Sequence, residues 1–277
     1  MKDDGLFTLE MGNWNEDKYA LVQNYASIFS TGMKNKWCRV YINLFSGPGR
    51  SRFKETGNIV ESSALLALKI PDMFDKYIFC DIKPEALYAL KKRIENAKIE
   101  AIVSFVEGDV NLSTDKILKE IPKHGPNFKV LSFCFIDPYK MDNLTFDTIR
   151  KLSAKFMDFL ILIPTYMDAH RNPQNYEKTE NTCVDRFLGN PNWRLDWIKE
   201  KEQGAHFADF IHSAFAKQMQ SLKYQEVNTD DASILVRNTQ KKAPLYHLSF
   251  FSKHKRGHDF FKEAKKYSNP QTNLDLI

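Results

Sequence analysis

From position 37 to position 164 short apolar runs alternate with stretches of helical spacing, and this alternation limits the available folds more than any other feature. The runs cover 38–45, 77–82, 102–106, 130–136 and 159–163. Between them the spacing predicts helices over 61–69, 85–97 and 144–155. Pro84 opens the second of these, where a first-turn residue needs no amide donor. Strand and helix in this order read as βαβ units, and therefore as a mostly parallel α/β sheet covered on both faces. The near-continuous hydrophobicity of the fourth and fifth runs suits central strands.

The pattern changes after Pro164. Residues 165–204 are polar, and a helix is then expected over 207–222, with Phe207, Phe210, Ile211, Ala214, Phe215, Met219 and Leu222 on one face. Two closing strands are expected at 233–237 and 245–252, as a hairpin. Upstream, Tyr19, Leu21, Val22, Tyr25, Ile28 and Phe29 mark a helix over 17–30 that packs on the domain. The expected organisation is an N-terminal helical extension (1–35), an α/β domain (36–252) with a helical insertion at about 165–225, and a basic C-terminal tail (253–277). A hydrophobic fraction of 43% in 277 residues is ample for a large core, which excludes disorder as the dominant state. The formal charge of +5 suits an anionic partner such as nucleic acid.

Four cysteines occur, none in C-x-x-C spacing, which argues against a zinc knuckle or redox motif. Cys38, Cys80 and Cys134 fall inside apolar runs and read as reduced core residues. The longest apolar runs, at 131–136 and 159–164, are too short to span a bilayer, and the first residues lack the apolar stretch of a signal peptide. A cytoplasmic protein without a membrane partner is expected.

Phe45-Ser46-Gly47-Pro48-Gly49 ends the first run, at the strand edge where open α/β sheets bind ligands. Gly47 and Gly49 remove side chains where a cofactor must approach the backbone. A dinucleotide fingerprint wants a third glycine where Arg52 stands, and the Gly-Lys-Ser/Thr of a P-loop is missing. A cofactor without phosphate, S-adenosylmethionine, fits better. Asp81 ends the second run and can accept both ribose hydroxyls, with Ile82 beside it in the cofactor site. The gap from Gly49 to Asp81 exceeds the usual spacing of about 20 residues, so an extra loop is expected between them. After the third run, Asp109 or Asn111 can receive the adenine amine while the Val110 backbone touches the ring; a simple Asp/Asn turn is the alternative.

Asp137-Pro138-Tyr139 follows the fourth run and is the expected reaction centre. Methyl transfer to an exocyclic amine needs an acceptor that orients the N–H bonds, and the Asp137 carboxylate or the Pro138 carbonyl can serve. Tyr139 can stack on a planar base. Beyond the fifth run, Pro164, Thr165, Tyr166, Asp168, His170 and Arg171 can frame the substrate side, with the His/Asp pair as a general base. The tail interleaves Lys253, His254, Lys255, Arg256, Lys262, Lys265 and Lys266 with Phe260, Phe261 and Tyr267, which suits a nucleic-acid backbone or a solvated helix face.

These motifs together resemble the three-Cys-motif partner protein family, TcmP. The matching stretches are 41–49, 107–111, 135–139 and the closing 245–254, within a likeness spanning roughly residues 17 to 262. The resemblance implies a class I S-adenosylmethionine-dependent methyltransferase-like fold: a Rossmann-like seven-stranded sheet, mostly parallel with an antiparallel closing strand, and helices on both faces. It also implies a companion protein with a radical-S-adenosylmethionine-like cysteine motif. Asn43 stands where the family often has Asp, a residue that helps hold the cofactor's amino group. Lys140 stands where glycine often follows Asp-Pro-Tyr. The expected function is methylation of an exocyclic amine on a nucleic-acid base. The alternatives are a partner-dependent module without catalysis of its own, and a nuclease in which Asp81, Asp109 and Asp137 gather a divalent metal.

Overall fold

The computed structural model describes residues 1–12, 15–166, 173–226, 229–238 and 242–267. The chain opens with β1 (Leu9–Met11), α1 (Asn15–Met33), β2 (Cys38–Leu44), β3 (Arg50–Phe53), β4 (Ile59–Glu61) and α2 (Ser63–Leu68). Next come β5 (Lys76–Asp81), α3 (Pro84–Asn96), β6 (Val103–Glu107), α4 (Val110–Glu120), β7 (Val130–Ile136), α5 (Phe146–Leu152) and β8 (Met157–Ile163). The insertion holds α6 (Pro173–Glu177), α7 (Cys183–Leu188), α8 (Trp193–Glu202) and α9 (Phe207–Ser221). The chain closes with α10 (Thr229–Ala232), β9 (Ser233–Arg237), β10 (Pro244–Phe251) and α11 (Lys255–Lys266).

The five apolar runs form five parallel strands of one seven-stranded sheet, ordered β6-β5-β2-β7-β8-β10-β9. The last strand, β10, runs antiparallel to both of its neighbours, β8 and β9. This is the Rossmann-like methyltransferase sheet. Successive units leave β2 in opposite directions, to β5 on one side and β7 on the other, which opens a crevice at the carboxyl ends of these strands.

Sequence explains the layering. Every residue of β8 is buried, as is nearly all of β7, because each face of these strands meets helices. On one face Tyr25, Phe29, Phe79, Phe133, Phe250 and Phe261 pack beneath α1, α2, α3 and α11. Phe250 and Phe261 stack with centroids 4.7 Å apart and planes 8° from parallel. On the other face Ile42, Cys134, Phe159, Trp193 and Phe215 pack beneath α4, α5 and the insertion helices. Asp158 is a charged intruder in the first core: the Tyr25 hydroxyl donates to it at 2.9 Å, and burial pushes its carboxyl up to about 6.

Two features depart from expectation. The extra chain between Gly49 and the helix expected over 61–69 is not a loop. β3 and β4 form an antiparallel pair, and β1 joins β3 in parallel, giving a second, three-stranded sheet. Residues 110–120 form a helix, α4, over a stretch with no expected helix. The basic tail is helical over Lys255–Lys266 and buries Phe261 and Ala264. Its cations are partly committed: Lys253 donates to the Ser153 carbonyl, Lys265 to that of Ser233, and Lys266 pairs with Glu263. The rest of the tail, from position 268, lies outside the described residues. Among the described residues no helix is long and apolar enough to cross a membrane.

Candidate cofactor and acceptor site

A cavity of about 370 Å³ lies at the carboxyl edge of β2, β5, β6 and β7, within the size range of small-molecule sites. Its floor is the turn after β2. The Phe45 and Ser46 amides both donate to the Cys80 carbonyl at 2.9 Å, which ties this turn to β5. Phe45 holds a left-handed backbone (φ 83°), a conformation costly for an aromatic residue and typical of functional turns. Gly47 (φ 62°) donates its amide to the Asp81 carboxylate at 2.8 Å, while the Lys83 amide donates to the other oxygen at 3.0 Å. Asp81 therefore braces the turn as well as facing the cavity.

The expected residues divide into two groups. Phe45, Ser46, Gly47, Asp81, Ile82, Asp109, Val110, Asp137, Pro138 and Tyr139 all line the cavity, although they come from four separate strand ends. Asn43, Gly49 and Asn111 do not line it. A side chain at Gly49 would meet Leu90 at 2.7 Å and Leu65 at 2.9 Å, so that glycine serves helix packing rather than cofactor approach. Asn111 is consumed by structure: its amide nitrogen donates to the Asn143 carbonyl, and its oxygen accepts from the Thr145 amide and from the Thr148 hydroxyl. Asn43 is fully buried and donates to the Ser63 hydroxyl at 3.0 Å, so it acts on the cavity through Ser63. Asp109 caps α4, accepting from the Asn111 and Leu112 amides.

Several buried polar atoms around the cavity have no hydrogen-bond partner: the Ser46, Ser62 and Tyr246 hydroxyls and the Asn43 amide oxygen. Such orphans are rare in folded proteins because each costs roughly 1–3 kcal/mol. Three of them sit directly in the lining, so the cavity suits a ligand with polar groups. Ile82 adds an exposed apolar face beside Asp81.

Residues that sequence reasoning missed supply the other wall. Leu9, Glu10, Met11 and Gly12 line it at the end of an N-terminal strap over residues 4–12, and α1 presents Asn15, Lys18 and Tyr19. The strap is pinned by Arg93, whose side chain is only 2% exposed. Its guanidinium donates to both Asp4 oxygens at 2.8 Å, to the Phe7 carbonyl at 2.9 Å and to the Pro48 carbonyl at 2.7 Å. One arginine thus joins the strap to the glycine turn. The Arg93 hydrogen bond holds the Asp4 carboxyl down at about 2.

At the far end, Lys18 Nζ lies 2.6 Å from Asp137 Oδ2. Tyr19 and Tyr246 flank this pair, and burial, reinforced by the Asp137 charge, pushes both phenols above their ordinary range. They remain protonated donors. Leu162, Pro164 and Tyr139 complete an apolar rim. Thr165 is buried and bonded to His247 Nδ1 at 3.1 Å, and the Tyr166 hydroxyl donates to Asp209 at 2.8 Å. Asp168, His170 and Arg171 lie outside the described residues. The three strand-end carboxylates keep separate partners, and among the described residues no three acidic, histidine or cysteine side chains gather as a metal site.

No family model matches the chain, and no curated protein matches it in sequence. Solved structures match it across most of its length. The chain is similar to protein LPL1258 of Legionella pneumophila at 10% identity, over 92% of this chain and 93% of that one, with a TM-score of 0.48. It is similar to an O-methyltransferase of Bacillus cereus, crystallised with S-adenosylhomocysteine, at 12% identity over 90% and 85% of the two chains (TM-score 0.44). A third likeness is to the N-methyltransferase NodS of Bradyrhizobium japonicum, also with S-adenosylhomocysteine, at 8% identity over 88% and 89% (TM-score 0.41).

Proposed function

We propose that this chain is an S-adenosylmethionine-dependent methyltransferase that acts on an exocyclic amine of a nucleic-acid base. The observation that carries the reading is the cavity at the strand switch point, where orphaned buried hydroxyls and Asp81 face one space that also reaches Asp137. The residues present fit the cofactor. Asp81 would accept from the ribose hydroxyls, Ile82 and Val110 would flank the adenine, and Asp109 would lie near its amine. Ser46 and Ser62 would donate to the methionine carboxylate, with Ser63 held in place by Asn43. When bound, the cofactor supplies an electrophilic methyl group.

The chain's own contribution is placement. Asp137 accepts an N–H of the amine and turns the nitrogen lone pair toward the methyl position, Tyr139 covers the ring, and the strap excludes water. Calorimetry with S-adenosylhomocysteine tests the cofactor claim: binding is expected, and Asp81→Ala should weaken it by about tenfold or more. Transfer of labelled methyl into total RNA or DNA tests the acceptor claim, with Asp137→Ala as control. Incorporation equal in the two proteins would refute it.

A second reading draws on the apolar rim of Ile82 and Tyr139, which line the cavity and are 61% and 69% exposed. A companion protein, as the TcmP resemblance implies, would cover this rim and complete the acceptor side. Activity that appears only when the companion is added to the same assay would select this reading.

A further inference from the structure

Lys18 enters the acceptor end of the cavity from α1, an element outside the seven-stranded sheet, and meets a residue 119 positions away. Its side chain is 6% exposed, and its ammonium lies 5.2 Å from the centre of the Tyr19 ring and 5.9 Å from that of Tyr246. Two aromatic faces and a carboxylate thus hold the cation in one place. Asp137 takes one of the three ammonium protons on Oδ2, which leaves Oδ1 as an acceptor and Lys18 with donors to spare. The Tyr246 hydroxyl, on a residue 1% exposed, has no partner and adds a further donor. A donor set and an acceptor therefore stand side by side, enclosed by Tyr19, Tyr139, Leu162 and Pro164. The pair is neutral overall, so nothing in it favours an anionic acceptor.

We propose that Lys18, Asp137 and Tyr246 form an acceptor subsite that selects a planar heteroaromatic amine whose N–H lies beside a ring nitrogen, the edge presented by cytosine or adenine. Asp137 Oδ1 takes the amine N–H, and Lys18 and Tyr246 between them supply the donor to the neighbouring ring nitrogen. Lys18 and Tyr246 are specificity residues in this arrangement, and Asp137 touches the reacting nitrogen. The subsite rests on the methyl-transfer reading.

Calorimetry on the full chain saturated with S-adenosylhomocysteine tests it, with cytidine as probe. Cytidine is expected to bind, and N4,N4-dimethylcytidine, which lacks the N–H, to bind about tenfold or more weakly. Lys18→Met should lower cytidine affinity about tenfold, and Tyr246→Phe several-fold, while affinity for S-adenosylhomocysteine stays within about twofold in both. Retained cofactor-product binding also reports that each variant is folded. Cytidine affinity indifferent to both substitutions, or equal affinity for the dimethylated nucleoside, would overturn the subsite alone. Failure of the unaltered chain to bind S-adenosylhomocysteine would overturn the methyl-transfer reading and the subsite with it.

Discussion

At the scale of single residues, the strand-end rule carries much of the site. Ser46, Asp81, Asp109 and Asp137 were legible because each stands at or just past the end of an apolar run, and open α/β sheets gather such positions at one edge. Lys18 and Tyr246 were not. A lysine on a helix reads as solvated and a tyrosine in a strand as core, and neither reading contains the fold that brings them to Asp137. Gly49 was legible as a special position, but for the wrong reason. Its backbone is left-handed (φ 81°), and an added methyl would press on Leu65 and Leu90. Gly49→Ala should therefore destabilise the fold by about 1–3 kcal/mol, measured as a lower urea midpoint. A midpoint unchanged from the parent would show that α2 and α3 yield at no cost.

Among the elements, long apolar or amphipathic stretches were visible and short ones were not. β1, β3 and β4 have three or four residues each, and Arg50-Ser-Arg-Phe carries two cations, so no period stands out over so few positions. α4 was hidden because its cap, Asp109, looked like a turn residue or a ligand contact. The strap is the element most open to test. Arg93→Met removes the guanidinium and with it the hydrogen bonds to Asp4, to Thr8 and to the Leu6, Phe7 and Pro48 carbonyls, so hydrogen exchange over residues 1–12 should accelerate sharply. Exchange as slow as in the unaltered chain would mean that β1–β3 pairing, with the Asp3–Arg52 and Asp4–Arg50 ion pairs, holds the strap without Arg93. Acid should have a related effect. Asp4 is depressed to about 2 in the fold, so its contribution is present above the unfolded value near 3.8 and is lost as pH falls toward 2.

For the molecule as a whole, the sheet and its two layers of helices were foreseeable from the alternation of runs, while the interlock of chain ends was not. α1 and α11 close the same face, with Tyr25 against Phe250 and Phe250 against Phe261. Phe261→Ala should cost about 3–5 kcal/mol and lower the thermal midpoint of the entire chain in one transition. A separate early transition would instead show that α11 melts by itself. Asp158 sets a global pH dependence of the opposite sign to Asp4. Its folded value, about 6, lies above the unfolded 3.8, so stability is greatest below pH 4 on this account and falls as pH rises through 6. That raise corresponds to roughly 3 kcal/mol, and Asp158→Asn should flatten the slope in denaturant midpoints measured from pH 4 to 7.

The position of β10 bears on how the chain is made. It is the last strand in sequence among the described residues, yet it sits between β8 and β9, which precede it. During synthesis β9 emerges with no strand to pair with, and β8 keeps a bare edge of unpaired amides and carbonyls until β10 slots in. Such an edge is a template for foreign strands. A ribosome stalled before position 244 would therefore hold an aggregation-prone nascent chain, and chaperone demand should peak late, just before the sheet is sealed.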